Sequence, residues 1–443
     1  MKKMERSDFI LRPSSIVHHH LNVMNPIVII ADDLTGAADT GVQFCPFFDH
    51  TVLISYLQLS GTERPNSSFS PRGATALYTN SRALAVKTAR ERLGSIARRL
   101  SKLEPLWIYK KIDSCLRGNP GAETEALMDE LAYEVSFIAP AFPEMGRTTV
   151  NSTHLVHGIP VGRTEISRDP LTPVTESDLC KVIQSQSRYP VGHIPLNLLA
   201  GEEAALRDEI EHQIRAGTRH IVFDATYPEH LNRIARLIVS SSHRILPVGS
   251  AGLAAGLGGL LPPAPILKTD DHRSFEGNHL LVCGTNSEVT RRQIETLVEV
   301  YPYTEIALDP AILTDEHRGD AFLNSVSLVR SMLSAKHVVV TIASSQQSPV
   351  SARQLNQQPA AQAMVAGLGR FLAGVLTETR PGLLFLTGGD TADAVITSAG
   401  GKGIRILGEV VTGGKKGRIR GKDITIFDST GLFEAVLYPE MLG

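Results

Sequence analysis

The chain has 443 residues, 42% hydrophobic and 20% charged, a globular composition long enough for two domains, or three, each with a sizeable core. Lys plus Arg number 44 against 46 Asp plus Glu, for a formal net charge of -2, so no electropositive surplus points to nucleic acid or to an anionic membrane surface. The four cysteines, Cys45, Cys115, Cys180 and Cys283, form no CxxC or zinc spacing and read as reduced thiols of a cytoplasmic protein.

Residues 1–24 hold no continuous apolar stretch of the kind a signal peptide needs, and they read as a flexible N-terminal extension, with Met24 as an alternative start. His18 to His20 are taken as tail residues rather than a metal site. From Ile27 the apolar runs "IVII" (27–30), "TVLIS" (51–55), "LWIYKKI" (106–112) and "VSFIAP" (135–140) predict strands. Between them, residues 84–103 predict an amphipathic helix burying Ala89, Leu93, Ile96 and Leu100. Residues 140–179 are polar, with five prolines, and read as one long functional loop. Residues 203–217 predict a helix closed by Gly217, and 220–225 a further strand. The stretch Ala251 to Leu267 is too short, and too broken by Gly and Pro, to span a membrane.

Periodicity vanishes over 261–279 and then restarts: strands at 280–284, 337–343 and 383–389, with helices from about Ser287 and over 359–376. The expected organisation is therefore an extension (1–24), a first domain (25–262), a linker (263–278) and a second domain (279–443). This βα alternation predicts an α/β fold of two domains, each a mainly parallel sheet flanked by helices, with the active site in the cleft between them.

Three stretches carry chemistry. In "IVIIADDLTGAADTG" (27–41) a buried strand ends in Asp32 and Asp33, at the edge where open α/β sheets bind ligands. One carboxylate is expected to cap the following helix and the other to face the ligand. A haloacid-dehalogenase-type phosphatase also puts an aspartate after its first strand, but its acid two residues on is absent, since position 34 is Leu and 35 is Thr. In "YKKIDSCLRGNPGAETEA" (109–126), Lys111, Asp113, Ser114 and Arg117 gather at a strand end. They suit a polyhydroxy carboxylate, the cations meeting its carboxylate and Asp and Ser its hydroxyls. Arg82 in "TNSRAL" offers a further carboxylate contact. In "LLFLTGGDTADAV" (383–395), Gly388 and Gly389 precede a helix opened by Asp390 and Thr391, a turn that suits a phosphate. "LLVCGTNSEVTRRQI" (280–294) has the same form, with Thr285 at its turn, and "VVTGGKKGRIRGKDITIFDSTGLF" (410–433) adds glycines and cations. There is no HExxH, no Gly-x-Ser-x-Gly elbow and no Walker loop. His154 and His157 read as polar loop residues.

Taken together, "ADDLTGAADTG", "YKKIDSCLRGNPGAE", "PAFPEMGRT", "GIPV", "DPLTPVTESDL", "VGSAGLA", "LVCGTNSEVTRRQI" and "LTGGDTADAV" resemble the four-carbon acid sugar kinase family, in the family's order and from Ile27 onward. The resemblance implies ATP-dependent phosphorylation of the 4-hydroxyl of D-threonate, D-erythronate or 3-oxo-tetronate, with Mg²⁺, the sugar acid on the first domain and ATP on the second. Carried over by motif, sugar-acid contacts fall on Asp32, Asp33, Arg82, Lys111, Ile112, Asp113 and Ser114, with Asp33 or Asp113 as base. ATP contacts fall on Thr285, Gly388, Gly389, Asp390, Thr391 and Gly431, and no dedicated metal ligand is implied. The chain departs from the family where Thr285 follows Gly284 in place of Ser, and where Asp428-Ser429-Thr430-Gly431 lacks the usual lysine, for which Lys415 or Lys416 is a candidate substitute. The missing lysine keeps open a non-catalytic sugar-acid sensor, and the phosphatase stands as an enzymatic rival. The partners expected are the small-molecule acid and ATP, with sheet edges that leave room for a homodimer.

Overall fold

The computed structural model describes residues 27–60, 73–102, 107–169, 171–264, 277–284, 288–314, 319–343, 358–387, 389–401, 403–411, 414–419 and 424–428. The extension 1–24, most of the linker, and Thr285, Gly388 and Gly431 lie outside them.

The first half contributes strands β1 (Ile27–Ala31), β2 (His50–Ser55), β3 (Gly73–Tyr78), β4 (Trp107–Lys111), β5 (Val135–Ala139), β6 (Arg147–Val150), β7 (Thr153–Val156), β8 (Ile159–Pro160), β9 (Val191–Ile194), β10 (His220–Phe223) and β11 (Ile245–Gly249). The second half contributes β12 (His279–Cys283), β13 (Tyr303–Leu308), β14 (His337–Ile342), β15 (Leu383–Thr387), β16 (Ile404–Val411), β17 (Gly414–Ile419) and β18 (Ile424–Asp428). Strand β1 is an unbroken apolar run because both its faces are covered: Ile27, Ile29 and Ala31 enter one core cluster, Val28 and Ile30 the other. The helix at Val86–Leu100 buries Ala89, Leu93, Ile96 and Leu100, the expected stripe. The helix Glu203–Arg215 stops two residues before Gly217, whose φ of +94° suits glycine.

Parallel strands in the order β2-β3-β1-β4-β11-β5-β10-β9 form the first sheet, and β13-β14-β12-β15-β18 form the second. The two sheets are joined. Antiparallel strands β17 and β16 run from β18 to β2, with Ile406 opposite Thr51, so that one 15-stranded sheet spans both halves. The glycine- and lysine-rich stretch 410–433 thus contributes a hairpin to this bridge. The region 140–179 is not the structureless loop its prolines suggest. Strands β6, β7 and β8 form a three-stranded antiparallel sheet there, which the β-branched residues of "RTTV" and "THLV" support. Asp224 holds this sheet down by accepting from the backbone N–H groups of Asn151 and Ser152.

Because neighbouring strands run parallel, their carboxyl ends line one edge. Ala31 is level with Tyr78 and Lys111, and Cys283 with Thr387. The chain leaving each of these strands passes through one of the motifs above.

Candidate active site

The carboxyl ends of β1, β3 and β4 bring Asp32, Asp33, Arg82, Lys111, Asp113 and Ser114 together. Asp32 leaves β1 almost fully buried and takes a bidentate pair from Arg82, Nε to Oδ2 at 2.7 Å and Nη2 to Oδ1 at 3.1 Å. The same guanidinium reaches Asp33 Oδ2 at 2.7 Å through Nη1 and lies 3.8 Å from Asp113. One planar fork therefore offsets the repulsion of two adjacent carboxylates. Asp33 is also the N-cap of α1 (Leu34–Gly41), its Oδ1 accepting from Gly36 N at 2.9 Å. The cap and the more accessible carboxylate are one residue rather than two, since Asp33 keeps 23% side-chain exposure and Asp32 only 4%.

These environments separate the carboxyl groups. Burial works against ionised Asp32, but Arg82, with Lys110 and Lys111, outweighs it and holds the pKa below the usual range. At Asp113 burial is likewise overcome, here by Arg82 and by Arg117, whose Nε stands 2.7 Å from Oδ2, and the pKa falls far below normal. At Asp33 burial dominates and the charges of Asp32 and Asp113 add to it, so its pKa rises despite Arg82 and Lys111. Of the three, Asp33 alone has the proton affinity that suits a general base.

Lys111 ends β4, buried, and burial lowers its pKa against the pull of Asp33, Asp32 and Asp113. Among the described residues no hydrogen bond or ion pair reaches its ammonium. Gly36 makes the room: a methyl there would fall 2.8 Å from Lys111 Nζ and 2.6 Å from Asp33 Oδ1. Ile112 is drawn in only by position. Its side chain is core, and its N–H donates to Gly249 O at 2.9 Å. Ser114 is half-buried, and its carbonyl accepts from His154 Nε2 at 2.7 Å.

Several supports escape sequence reading. His154, taken for a polar loop residue, is wholly buried; burial drives its pKa down to about 4, so it is neutral and donates to the Asp113–Ser114 turn. Lys110 lies on the opposite face of β4 from Lys111, fully buried, with Nζ 2.7 Å from Glu123 Oε2. Glu123 Oε1 accepts from Ser81 at 2.6 Å, one residue before Arg82. Strand alternation held that signal: two successive lysines in a buried strand require a buried counter-ion on one side.

The second half meets this cluster through α2 (Gly389–Ser398). A methyl on Gly389 would fall 2.5 Å from Thr35 Oγ1 at the start of α1, a closeness only glycine permits. The Asp390 carboxylate is exposed; its pKa is raised by partial burial, and Arg82 is near enough to oppose that shift. Thr391 is buried, its hydroxyl against Gly284. Gly284, at the end of β12, thus stands beside the first turn of α2, and Gly389 abuts Thr35 at the start of α1. Among the described residues no group of three or more His, Cys, Asp or Glu is placed to hold a metal. No helix among them is long and apolar enough to cross a membrane.

Comparison with known proteins agrees with this division. A family model described as a sugar-binding N-terminal domain matches residues 27–257, and one described as a nucleotide-binding C-terminal domain matches 280–427. The chain is 30% identical to a D-erythronate kinase of Heliobacterium modesticaldum over 90% of its length and 91% of that protein's. It is 30% identical to a D-threonate kinase of Salmonella typhimurium, covering 87% of this chain and 89% of that one. A 3-oxo-tetronate kinase of Methylobacterium radiotolerans is 24% identical, over 84% and 87%. A solved structure from Salmonella typhimurium LT2 superposes with a TM-score of 0.74 at 22% identity, covering 92% of this chain and 96% of that one. Another, from Haemophilus influenzae, gives 0.67 at 21%, covering 92% and 97%. Both share the fold. The chain belongs to the four-carbon acid sugar kinase family and is a phosphotransferase that acts on a hydroxyl group.

Proposed function

We propose that the protein phosphorylates the 4-hydroxyl of a four-carbon sugar acid with ATP, D-erythronate or D-threonate ahead of 3-oxo-tetronate. The observation that carries this reading is the meeting of Gly389 with Thr35, two residues from Asp33. A phosphate held by the turn would face the carboxylate that must accept the hydroxyl proton. The acid's carboxylate meets the Lys111 ammonium and the exposed edge of Arg82, and hydroxyls reach Asp113 and Ser114. Asp33 orients the 4-hydroxyl and takes its proton, the role its raised proton affinity supports over strongly paired Asp113.

ATP is assigned to the turns after β12 and β15, at Thr285, Gly388, Gly389, Asp390 and Thr391, and to Gly431 beyond β18. Phosphoryl transfer needs positioning and charge neutralisation more than covalent chemistry. The donor set fits Mg²⁺, which binds through one or two carboxylates and substrate phosphates. Asp390 is exposed at the turn, whereas the Asp32 and Asp113 carboxylates are taken by arginines. Asp390 would hold Mg²⁺, which would supply charge neutralisation to the phosphates. Closure around both substrates limits futile hydrolysis, and the soluble partners are the acid and ATP in the cytoplasm.

A panel of C4 acids with Mg-ATP, followed by ADP release, tests the reading. ADP formation that depends on D-erythronate or D-threonate is the expected result. Acid binding with no ADP would turn the assignment to a sensor. Phosphate release from sugar phosphates without ATP would turn it to a phosphatase.

A further inference from the structure

The helix that opens with the nucleotide turn carries a second contact to the first half. Asp393, one turn into α2, accepts from the Tyr78 hydroxyl at 2.6 Å (Oδ1) and from Asn80 Nδ2 at 3.0 Å (Oδ2). Both donors belong to "LYTNSR", the segment that runs from the end of β3 to Arg82. That segment is fixed from the other side. Arg92 Nη1 donates to the carbonyls of Thr79 and Asn80, at 2.8 Å each, and holds Asn80 at a φ of +47°. Thr79 N and Oγ1 both donate to Ala31 O at 2.9 Å, and Ser81 N donates to Asp32 O at 3.0 Å. Arg82 then closes on Asp32 and Asp33. Burial and the Asp393 charge raise the Tyr78 pKa far above normal, so the phenol stays protonated and able to donate.

We propose that Asp393 is a positioning residue that couples the two substrate sites. Its carboxylate ties the helix that begins at Gly389 to the segment carrying Arg82, so that a nucleotide bound at the start of that helix tightens the sugar-acid site, and the converse. The bridge β18-β17-β16-β2 joins the halves at the sheet, with three residue pairs between β16 and β2. The Asp393 contact joins them at the carboxyl edge where the ligands bind. Two carboxylate acceptors facing two donors on alternate residues of one fixed segment define a single closed arrangement. Linkage then requires that each ligand strengthen the other by the same factor.

The coupling rests on the kinase reading, and calorimetry separates the two. The dissociation constant of D-erythronate is measured with and without a non-hydrolysable ATP analogue and Mg²⁺, for wild type, Tyr78→Phe, Asp393→Ala and Asp393→Asn. In wild type the nucleotide tightens acid binding by roughly 5- to 20-fold, within the usual range of coupling. In Asp393→Ala the factor falls to about 1 while each ligand alone binds within about twofold of wild type. Tyr78→Phe, which removes one hydroxyl and spares the packing, gives an intermediate factor, and Asp393→Asn restores part of it through its remaining acceptor. Wild-type coupling retained in Tyr78→Phe and Asp393→Ala would overturn the proposal, as would the absence of coupling in a wild type that binds both ligands. A wild type that binds the acid but no nucleotide would instead overturn the kinase reading itself, and the coupling with it.

Discussion

The two halves of the chain are built from different materials where they meet. On the sugar-acid side, Asp32, Asp33, Arg82, Lys111, Asp113 and Arg117 form a dense set of buried or half-buried charges, locked by ion pairs as short as 2.7 Å. On the nucleotide side, the described residues offer backbone turns, Gly284 and Gly389, with Asp390 exposed and Thr391 buried. The first half resembles a rigid mould for a small anion, in which Lys111 lies in the field of Asp33, Asp32 and Asp113 but, among the described residues, has no hydrogen bond or ion pair to its ammonium. The second resembles a cradle that presents backbone N–H groups and a helix N-terminus, which suits a phosphate chain that brings its own charge and cation. Substitutions on the first side should therefore change chemistry and acid binding, and those on the second should change how the halves meet.

The largest effect is expected at Asp33. Asp33→Asn preserves the α1 cap through its side-chain oxygen but removes the proposed base, and kcat should fall by roughly a hundredfold or more with an unchanged melting curve. With Asp33 as the proposed base, its protonation in the wild type predicts that kcat declines as pH falls through a value above the ordinary 3.8 of an aspartate. Steady-state kinetics across pH measure both, and wild-type turnover in Asp33→Asn would take the base role away from it. Next is Lys111→Met, which removes the cation whose ammonium has no hydrogen bond or ion pair among the described residues. A lost charged hydrogen bond of roughly 2 kcal/mol predicts a KM for the acid raised about 30-fold with a much smaller change in KM for ATP. An equal rise in both would dissolve the contrast between the halves.

A smaller effect, on the seam itself, is expected from Gly389→Ala. The added methyl would fall 2.5 Å from Thr35 Oγ1, so KM for ATP should rise by about tenfold, equivalent to roughly 1.4 kcal/mol. Thr35→Ala in the same chain, which removes that oxygen, should recover most of the loss. Failure of this rescue would mean that the turn does not meet α1 in the working enzyme. Near neutral pH the smallest effect comes from the buttress His154. Its pKa is depressed to about 4 in the folded chain from an ordinary 6.5. The unfolded chain therefore binds the proton first as pH falls. The stability from neutral burial is complete above 6.5 and is lost between 6.5 and 4, up to about 3 kcal/mol in all. Denaturation of wild type and His154→Gln at pH 7 and pH 5 checks this, since the substitution should flatten the decline.

Much of this was legible in the sequence because the sheet is parallel. Apolar runs without alternation mark buried strands, and in a parallel sheet every functional turn follows a strand, so "IVIIADD", "YKKIDS" and "LFLTGGDT" could be placed at strand ends from the sequence alone. What stayed hidden depends on distant pairing. That Ile404 to Ile406 lie along Leu53 to Thr51, fusing two sheets into one, follows from a register no local pattern encodes. The three-stranded sheet at 147–160 hid behind prolines, its strands being two to four residues long. At the site, Asp33 and Lys111 could be named, but the fork of Arg82 across both aspartates could not, because it joins residues 50 positions apart. No local pattern marks Asp393, whose contact with Tyr78 joins residues 315 positions apart.

The central claim is that the glycine turn of the second half delivers a phosphate to the aspartate of the first. A crystal structure of the protein with D-erythronate and a non-hydrolysable ATP analogue tests it directly. The account predicts the triphosphate on the 388–391 turn, the γ-phosphate aimed at the 4-hydroxyl, and that hydroxyl hydrogen-bonded to Asp33. A nucleotide bound elsewhere, or an acid whose 4-hydroxyl faces away from Asp33 and the turn, would contradict it.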